Sequence, residues 1–499
     1  MMNDPVNQTK QTHVYDVAIK TPLEKAATLS NELGTQVYLK REDLQPVHSF
    51  KIRGAYNKIA SLTQQEKDRG VICASAGNHA QGVALSAQKL GISAIIVMPR
   101  TTPAIKIEAV KGYGAVVVLS GDSYSEAFDH SQTLVAKSGR TYIHPFDDPL
   151  VIAGQGTIGL EILDQLPDVT HIFICVGGGG MLAGIAQYIK TLRPEIKIIG
   201  VEPDDSNAMQ ASLAADKRIV LDHVGIFADG VAVKQVGELT FDIAQKYVDE
   251  MITVNNDQIC AAIKSIYLET RAIVEPAGAL GIAGLQEYSK ENDLSQATCV
   301  AICSGANMTF ERLQFVAERT LLGSNKEALF AVTLPEKPGA LHAFCSEIIG
   351  DHSISEFSHR LHERSDATIL IGINLRDAND KQHLLSKLKQ HQYTFQDLSD
   401  DDLTKEHIRH MIGGKSSEAN NEQLYEINFP ERPKALQDFL QKMGDNWNIS
   451  LFHYRGQGLD TGSVVIGFEA AEPFSLIKAI ENTGYDFRVL TGQSIKLFI

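Results

Sequence analysis

The chain has 499 residues, too long for one ordinary domain and enough for on the order of two to four. Its formal net charge of −15 argues against nucleic acid as the main partner, because phosphate binding needs a basic surface. Its 43% hydrophobic and 21% charged residues suit a soluble globular protein with a large core, and no window approaches the roughly 18 continuous apolar residues of a membrane span.

The first residues, Met1 to Gln8, are polar and carry neither an apolar signal core nor an Arg-rich transit texture. A bacterial cytoplasm is therefore the expected location, with no membrane contact. Six cysteines in a chain of this length make no disulfide framework. Cys175, Cys299 and Cys303 sit in apolar, strand-like runs, where a cysteine is usually a small buried hydrophobe, and no metal site is expected.

From about residue 35 to 320, short apolar runs alternate with helical ones. Val71–Ala74 predicts a strand and His79–Lys89 a helix. Ser93–Met98 is the next strand, Pro103–Gly112 a helix and Ala115–Leu119 a strand. His171–Val176 and Ile198–Glu202 are two further strands with a helix between them. Such alternation predicts an α/β region, doubly wound, built on a largely parallel sheet with helices on both faces.

Within it the first chemical string is Lys40-Arg-Glu-Asp-Leu-Gln-Pro-Val-His-Ser-Phe-Lys-Ile-Arg-Gly-Ala55. A Schiff-base lysine must be partly uncharged, which apolar or cationic neighbours promote. Lys51 stands between Phe50 and Ile52, with Arg53 expected close by; the alternative is a solvated surface lysine. The second string is Ser75-Ala-Gly-Asn-His-Ala-Gln-Gly82, between a strand and a helix. Ser75, Ala76, Gly77 and Asn78 at a helix N-terminus suit a carboxylate, and Asn78 suits a phenolic oxygen. An ordinary helix cap with turn glycines explains the string about equally well.

Gly177-Gly-Gly-Gly-Met181 follows a strand and opens a helix, a place where backbone N–H groups can approach a phosphate. Gly178, Gly180 and Ala183 also fit the G-x-G-x-x-A dinucleotide fingerprint, with Glu202 as the acidic residue about twenty positions on. That rival leaves Lys51 and Asn78 without a task. The last string, Ala301-Ile-Cys-Ser-Gly-Ala-Asn307, ends a strand and directs Ser304 toward the ligand crevice, or is a plain strand-ending turn. Glu275-Pro-Ala-Gly-Ala279 reads as a helix start, and Glu275 receives no catalytic role.

Past Gly323 the chain repeats itself. Leu329-Phe-Ala-Val-Thr-Leu-Pro-Glu-Lys-Pro-Gly-Ala-Leu341 aligns with Leu424-Tyr-Glu-Ile-Asn-Phe-Pro-Glu-Arg-Pro-Lys-Ala-Leu436, an offset of 95 residues. Ile354–Arg360 aligns with Ile449–Arg455 at the same offset. Each copy predicts strand, Pro-anchored turn, helix, strand, strand, helix, strand. A charged linker, about Ser399–Glu422, separates them.

Together these strings resemble the tryptophan-synthase-β-like family of pyridoxal-phosphate enzymes, and within it the biosynthetic threonine dehydratase branch. Ser49-Phe-Lys-Ile-Arg-Gly-Ala and Ser75-Ala-Gly-Asn-His-Ala-Gln-Gly carry the likeness to that branch, and it extends over nearly the whole chain. It implies PLP fold type II over residues 1–322, followed by α+β ACT-like domains over 328–400 and 423–496. It implies that pyridoxal 5'-phosphate is the cofactor and that Lys51 holds it as a Schiff base and later takes the Cα proton. It further implies that Asn78 bonds the ring hydroxyl and that Gly177, Gly178, Gly179, Gly180 and Met181 grip the phosphate. Ser304 would meet the pyridine nitrogen, and Ser75–Asn78 the substrate carboxylate. The implied reaction is deamination of L-threonine to 2-oxobutanoate and ammonia, the first step of isoleucine biosynthesis, in a homotetramer.

Isoleucine as inhibitor and valine as opposing effector are the implied ligands of the two copies. Phe357, His359 and Arg360, then Phe452, Tyr454 and Arg455, are the candidate effector residues. His359 departs from the pattern, which has Tyr there, and introduces a pH-sensitive group. A serine dehydratase or racemase, and a non-catalytic amino-acid sensor, are the alternatives.

Overall fold

The computed structural model describes residues 4–323, 326–335, 340–358, 366–376, 379–410, 422–430, 435–443, 447–455, 461–469, 473–491 and 495. They form two compact units, Met1–Phe310 and Glu311–Ile499. The helix Arg312–Gly323 therefore belongs with the second unit.

The first unit holds ten strands: β1 (Leu23–Lys25), β2 (Gln36–Arg41), β3 (Val71–Ala74), β4 (Ala94–Met98), β5 (Val116–Leu119), β6 (Thr141–Tyr142), β7 (His171–Cys175), β8 (Lys197–Pro203), β9 (Glu250–Val254) and β10 (Thr298–Cys303). They make two sheets. The larger has the order β1-β2-β10-β7-β8-β9, with only β1 antiparallel to its neighbour. The smaller, β5-β4-β3-β6, is wholly parallel. Every residue of β3 and of β10 is buried, as expected for parallel strands covered on both faces. The cysteines agree with the sequence reading: Cys175, Cys299 and Cys303 are buried and none of the six is in a disulfide.

The smaller sheet and its helices form a lobe that carries the helix Asn78–Leu90. The larger sheet carries the glycine run at the end of β7, Ser304 at the end of β10, and the helix Pro276–Tyr288 packed against β7 and β10. The ends of the strands in both lobes thus converge on one crevice, the usual ligand position in open α/β sheets.

Among the described residues the second unit contains two four-stranded antiparallel sheets. The first combines β11 (Glu327–Pro335), β12 (Ile354–Ser358), β13 (Asp366–Asn374) and β14 (Thr394–Asp397) in the order β12-β13-β11-β14. The second combines β15 (Glu422–Pro430), β16 (Asn448–Arg455), β17 (Thr461–Glu469) and β18 (Phe487–Val489) in the order β16-β17-β15-β18. The repeat extends to detail: Phe330, Val332 and Leu334 fill one core as Tyr425, Ile427 and Phe429 fill the other. A register shift falls between Ile354 and Glu356 in one copy and between Ile449 and Leu451 in the other.

The charged linker is a partial correction. Asp402–Glu406 is a short helix and Ile408–His410 a 3-10 turn, because Leu403 and Ile408 bury against Leu329, Leu370 and Val465 of the two sheets. Arg409 pairs with Glu356 on β12, and His407 lies 2.9 Å from His453 on β16.

Candidate active site

Lys51 is the first residue of the helix Lys51–Ala60 and projects into a cavity. Phe50, Asn78, Phe146, Cys175, the run Gly177–Met181, Gly230, Val231, Glu275, Ala277 and Ser304 also line it. The Lys51 ammonium donates to the carbonyl of Pro145 at 3.2 Å and stands 5.3 Å from the Phe50 ring centroid. Burial lowers its pKa to about 8, with Glu275 among the groups opposing the shift.

Arg53 does not contribute, contrary to the sequence reading. Its guanidinium is fully buried on the other side of the helix and pairs with Glu42 at 2.7 Å and Glu161 at 2.6 Å. Lys40 joins Glu161 in the same network. Desolvation, not a cationic neighbour, therefore lowers the Lys51 pKa.

Asn78 heads its helix and is held at both ends. Its Nδ2 donates to Glu275 Oε1 at 2.6 Å, and its Oδ1 accepts from Asn307 Nδ2 at 2.6 Å. A second hydrogen on Nδ2 is left for a phenolic oxygen. Ser75 precedes it, its Oγ accepting from Gly77 N at 3.3 Å. Ser75, Ala76 and Gly77 form the approach to Asn78, while the cavity wall runs through Asn78 itself. His79 is buried, shares its Nε2 with the Ile143 carbonyl at 2.8 Å, and has a pKa lowered by burial to about 3.

Glu275 is the residue the sequence reading missed. It is buried, accepts from Asn78 through one oxygen and from the Asn307 backbone through the other, and burial raises its pKa to about 7. Its signal was a carboxylate directly before the apolar run of residues 276–285, which opens the helix Pro276–Tyr288.

The glycine run is shaped by its walls. A Cβ on Gly177 would lie 2.8 Å from Val231 Cα, one on Gly178 2.2 Å from the Phe146 ring, and one on Gly180 2.9 Å from Phe146 Cα. Gly179 has φ +92°, a left-handed conformation that glycine tolerates best. The helix Gly180–Leu192 starts here, so its first N–H groups and its dipole point at whatever occupies the loop.

The dinucleotide reading fails at Glu202. That carboxylate is fully buried and accepts from Met209 N at 2.9 Å and Gln210 N at 2.8 Å. It caps the next helix, and no ribose could reach it. Ser304 completes the wall: it is buried and its Oγ donates to the Ala277 carbonyl at 3.3 Å.

These residues fit the chemistry of a phosphorylated pyridine aldehyde. A lysine with depressed pKa, a glycine cup at a helix N-terminus, an amide for a ring hydroxyl and a neutral hydroxyl for a ring nitrogen share one cavity. The chain belongs to the pyridoxal-phosphate dependent enzyme family, whose profile matches residues 14–305. Its second half matches the C-terminal regulatory domain of threonine dehydratase twice, over 318–408 and 413–498.

Curated relatives match over more than nine-tenths of the chain. L-threonine dehydratase biosynthetic IlvA of Burkholderia multivorans is 49% identical over 94% of this chain and 93% of its own. The Escherichia coli protein of that name is 46% identical over 92% and 89%. The processed form of threonine deaminase isoform 2 from Solanum lycopersicum superposes with a TM-score of 0.63 at 52% identity, over 64% of this chain and 88% of that one. Maize serine racemase gives 0.60 at 33%, over 64% and 97%.

Of the candidate effector residues, Phe357 on β12 and Phe452 on β16 are exposed, at equivalent positions of the two copies. His359 and Arg360 lie outside the described residues, as do the side chains of Tyr454 and Arg455. Among the described residues no helix is long and apolar enough to cross a membrane.

One expectation concerns the cup. Gly178→Ala drives a methyl into the Phe146 ring, an overpacking cost of about 1–3 kcal/mol. The Kd for pyridoxal phosphate should rise about tenfold or more in equilibrium dialysis; an unchanged Kd would remove the loop from the cofactor site.

Proposed function

We propose that this chain dehydrates and deaminates L-threonine to 2-oxobutanoate and ammonia, the first step of isoleucine biosynthesis. The observation that carries this reading is the meeting of Lys51, Asn78, the glycine run and Ser304 on one cavity, in a chain that also carries two regulatory copies.

Bound pyridoxal 5'-phosphate supplies the electron sink that lets the Cα–H bond break. The N–H groups of Gly177–Met181 hold its phosphate against the helix dipole. Asn78 donates its second amide hydrogen to the ring hydroxyl, and Glu275 with Asn307 fixes the amide plane. Ser304 would offer the ring nitrogen a neutral hydroxyl in place of a carboxylate, an environment that would favour prompt loss of the β-substituent. Ser75–Asn78 hold the substrate carboxylate at their helix N-terminus. Lys51, near pKa 8, is neutral in an appreciable fraction of molecules near pH 7 and takes the Cα proton. The β-hydroxyl, with a proton equivalent to the one taken from Cα, then leaves as water, and the released enamine tautomerises and hydrolyses to the 2-oxo acid and ammonia.

The effectors of the second unit are isoleucine as inhibitor and valine as its antagonist, in a homotetramer in the cytoplasm. The solvent-facing Phe357 and Phe452 on equivalent strands support an effector surface in each copy.

Incubation of the holoenzyme with threonine should yield 2-oxobutanoate. A kcat/KM favouring serine would point to a serine-directed lyase, and absence of turnover to an amino-acid sensor. A chain ending at Phe310 should keep turnover and lose inhibition by isoleucine, a coupling of about 1–3 kcal/mol. Inhibition that survives the deletion would move the effector site into the first unit.

A further inference from the structure

We propose that Lys106 and Asp229 form a latch that holds the lobe carrying Asn78 closed over the lobe carrying the glycine run, and that both are positioning residues for the reaction. The proposal rests on the deamination reading above for its kinetic consequences.

Asp229 opens the single 3-10 turn Asp229–Val231, and the next two residues line the cavity. The turn has little slack. A Cβ on Gly230 would lie 2.9 Å from Ala277 Cβ and 3.4 Å from Glu275 Oε1, while Val231 Cα blocks a Cβ on Gly177. The turn is thus pressed against both the glycine run and Glu275. Lys106 belongs to the other lobe, on the helix Ala104–Gly112. Its ammonium reaches Asp229 Oδ2 at 2.9 Å, and its side chain is only 12% exposed. Partial burial makes such a pair stronger and less salt-sensitive than a surface one.

Two polar links therefore tie the lobes together beside the cavity: Asn78 with Glu275 and Asn307, and Lys106 with Asp229. If the second opens, the turn loses its anchor, and Lys51 with the loop Ser75–Asn78, whose helices pack together in one lobe, loses its fixed distance from the glycine run. A displacement of this kind affects substrate binding first, because the carboxylate site at Ser75–Asn78 belongs to one lobe and the glycine run to the other.

The pair also flanks Glu275. The titratable groups acting there are Lys51 and Cys175 within the cavity, Asp229 in the turn, and Lys106 across the lobe boundary. Asp229 favours the protonated carboxyl and Lys106 the ionised one, so removing one or the other must push Glu275 in opposite directions.

The test uses the full chain. Lys106→Met and Asp229→Asn should each raise the KM for threonine about fivefold and lower kcat less. The lower apparent pKa of the kcat/KM profile should move up in Lys106→Met and down in Asp229→Asn. Amide hydrogen exchange over residues 104–112, measured without cofactor, should quicken in both. The reversed pair, Lys106→Asp with Asp229→Lys, should recover part of the KM. Unchanged exchange in both variants overturns the latch, as do pKa movements in the same direction. A wild type that makes no 2-oxobutanoate defeats the deamination reading instead, and the exchange measurement still decides the latch.

Discussion

Replacing Lys51 by alanine should cut threonine turnover by roughly ten-thousand-fold or more, because one amine both anchors the cofactor and moves the Cα proton. No neighbouring base can take over. His79 is held neutral at pH 7, its pKa near 3, and its Nε2 is occupied by the Ile143 carbonyl. Glu275 is committed through both oxygens, to Asn78 and to the Asn307 backbone. The wild type should absorb at roughly 410 nm with cofactor bound through the lysine, and Lys51→Ala should lack that band even when saturated. Lys51→Arg keeps the cation and should be just as inactive, since a guanidinium stays protonated and cannot serve as a base. A variant that retained more than about a hundredth of the activity would place the reacting amine elsewhere.

What could be read in the sequence was local. The strands around Val71–Ala74 and His171–Cys175 announce themselves as short apolar runs. The strings around Lys51, Asn78, the four glycines and Ser304 each hold their own chemistry within a few residues. Division of the strands into two sheets did not show, because a parallel strand gives the same apolar run in either one. Glu275 was missed for a related reason: its partner Asn78 lies 197 residues away, and only the fold brings them together. Arg53 was placed near the amine by its sequence neighbours. Two positions along a helix are roughly 200° apart around its axis, and Arg53 faces away from Lys51 accordingly. The linker read as loop by composition, yet Leu403 and Ile408 find apolar partners that a 95-residue repeat cannot announce.

That misplaced arginine is the centre of a fully buried ion-pair network in the first unit. Arg53 donates to Glu42 at 2.7 and 2.8 Å, to Glu161 at 2.6 and 3.0 Å, and to Thr157 Oγ1 at 3.0 Å, all without solvent. Burial alone would favour the neutral arginine, but Glu42 and Glu161 more than reverse it. Burial would also raise the Glu42 pKa, and Arg53 with Lys40 more than reverses that. Arg53→Ala leaves Glu42 without its ion-pair partner and Glu161 with Lys40 alone, and should cost about 3–5 kcal/mol in urea unfolding at neutral pH, whereas a surface ion pair would cost under about 1. The pH dependence follows from Glu42. In the wild type its depressed pKa adds stability above the unfolded value near 4, stability that is lost as pH falls through the folded pKa. In the variant, a carboxyl buried without its arginine takes a raised pKa, so its penalty is full at neutral pH and fades on acidification. The gap between the two proteins should therefore narrow from pH 7 to pH 5. Adding Glu42→Gln to Arg53→Ala should recover part of the loss at pH 7, because an amide needs no counter-charge. A gap below about 1 kcal/mol, or one that is constant with pH, would mean that Lys40 and the nearby hydroxyls satisfy Glu161 and Glu42 without the guanidinium.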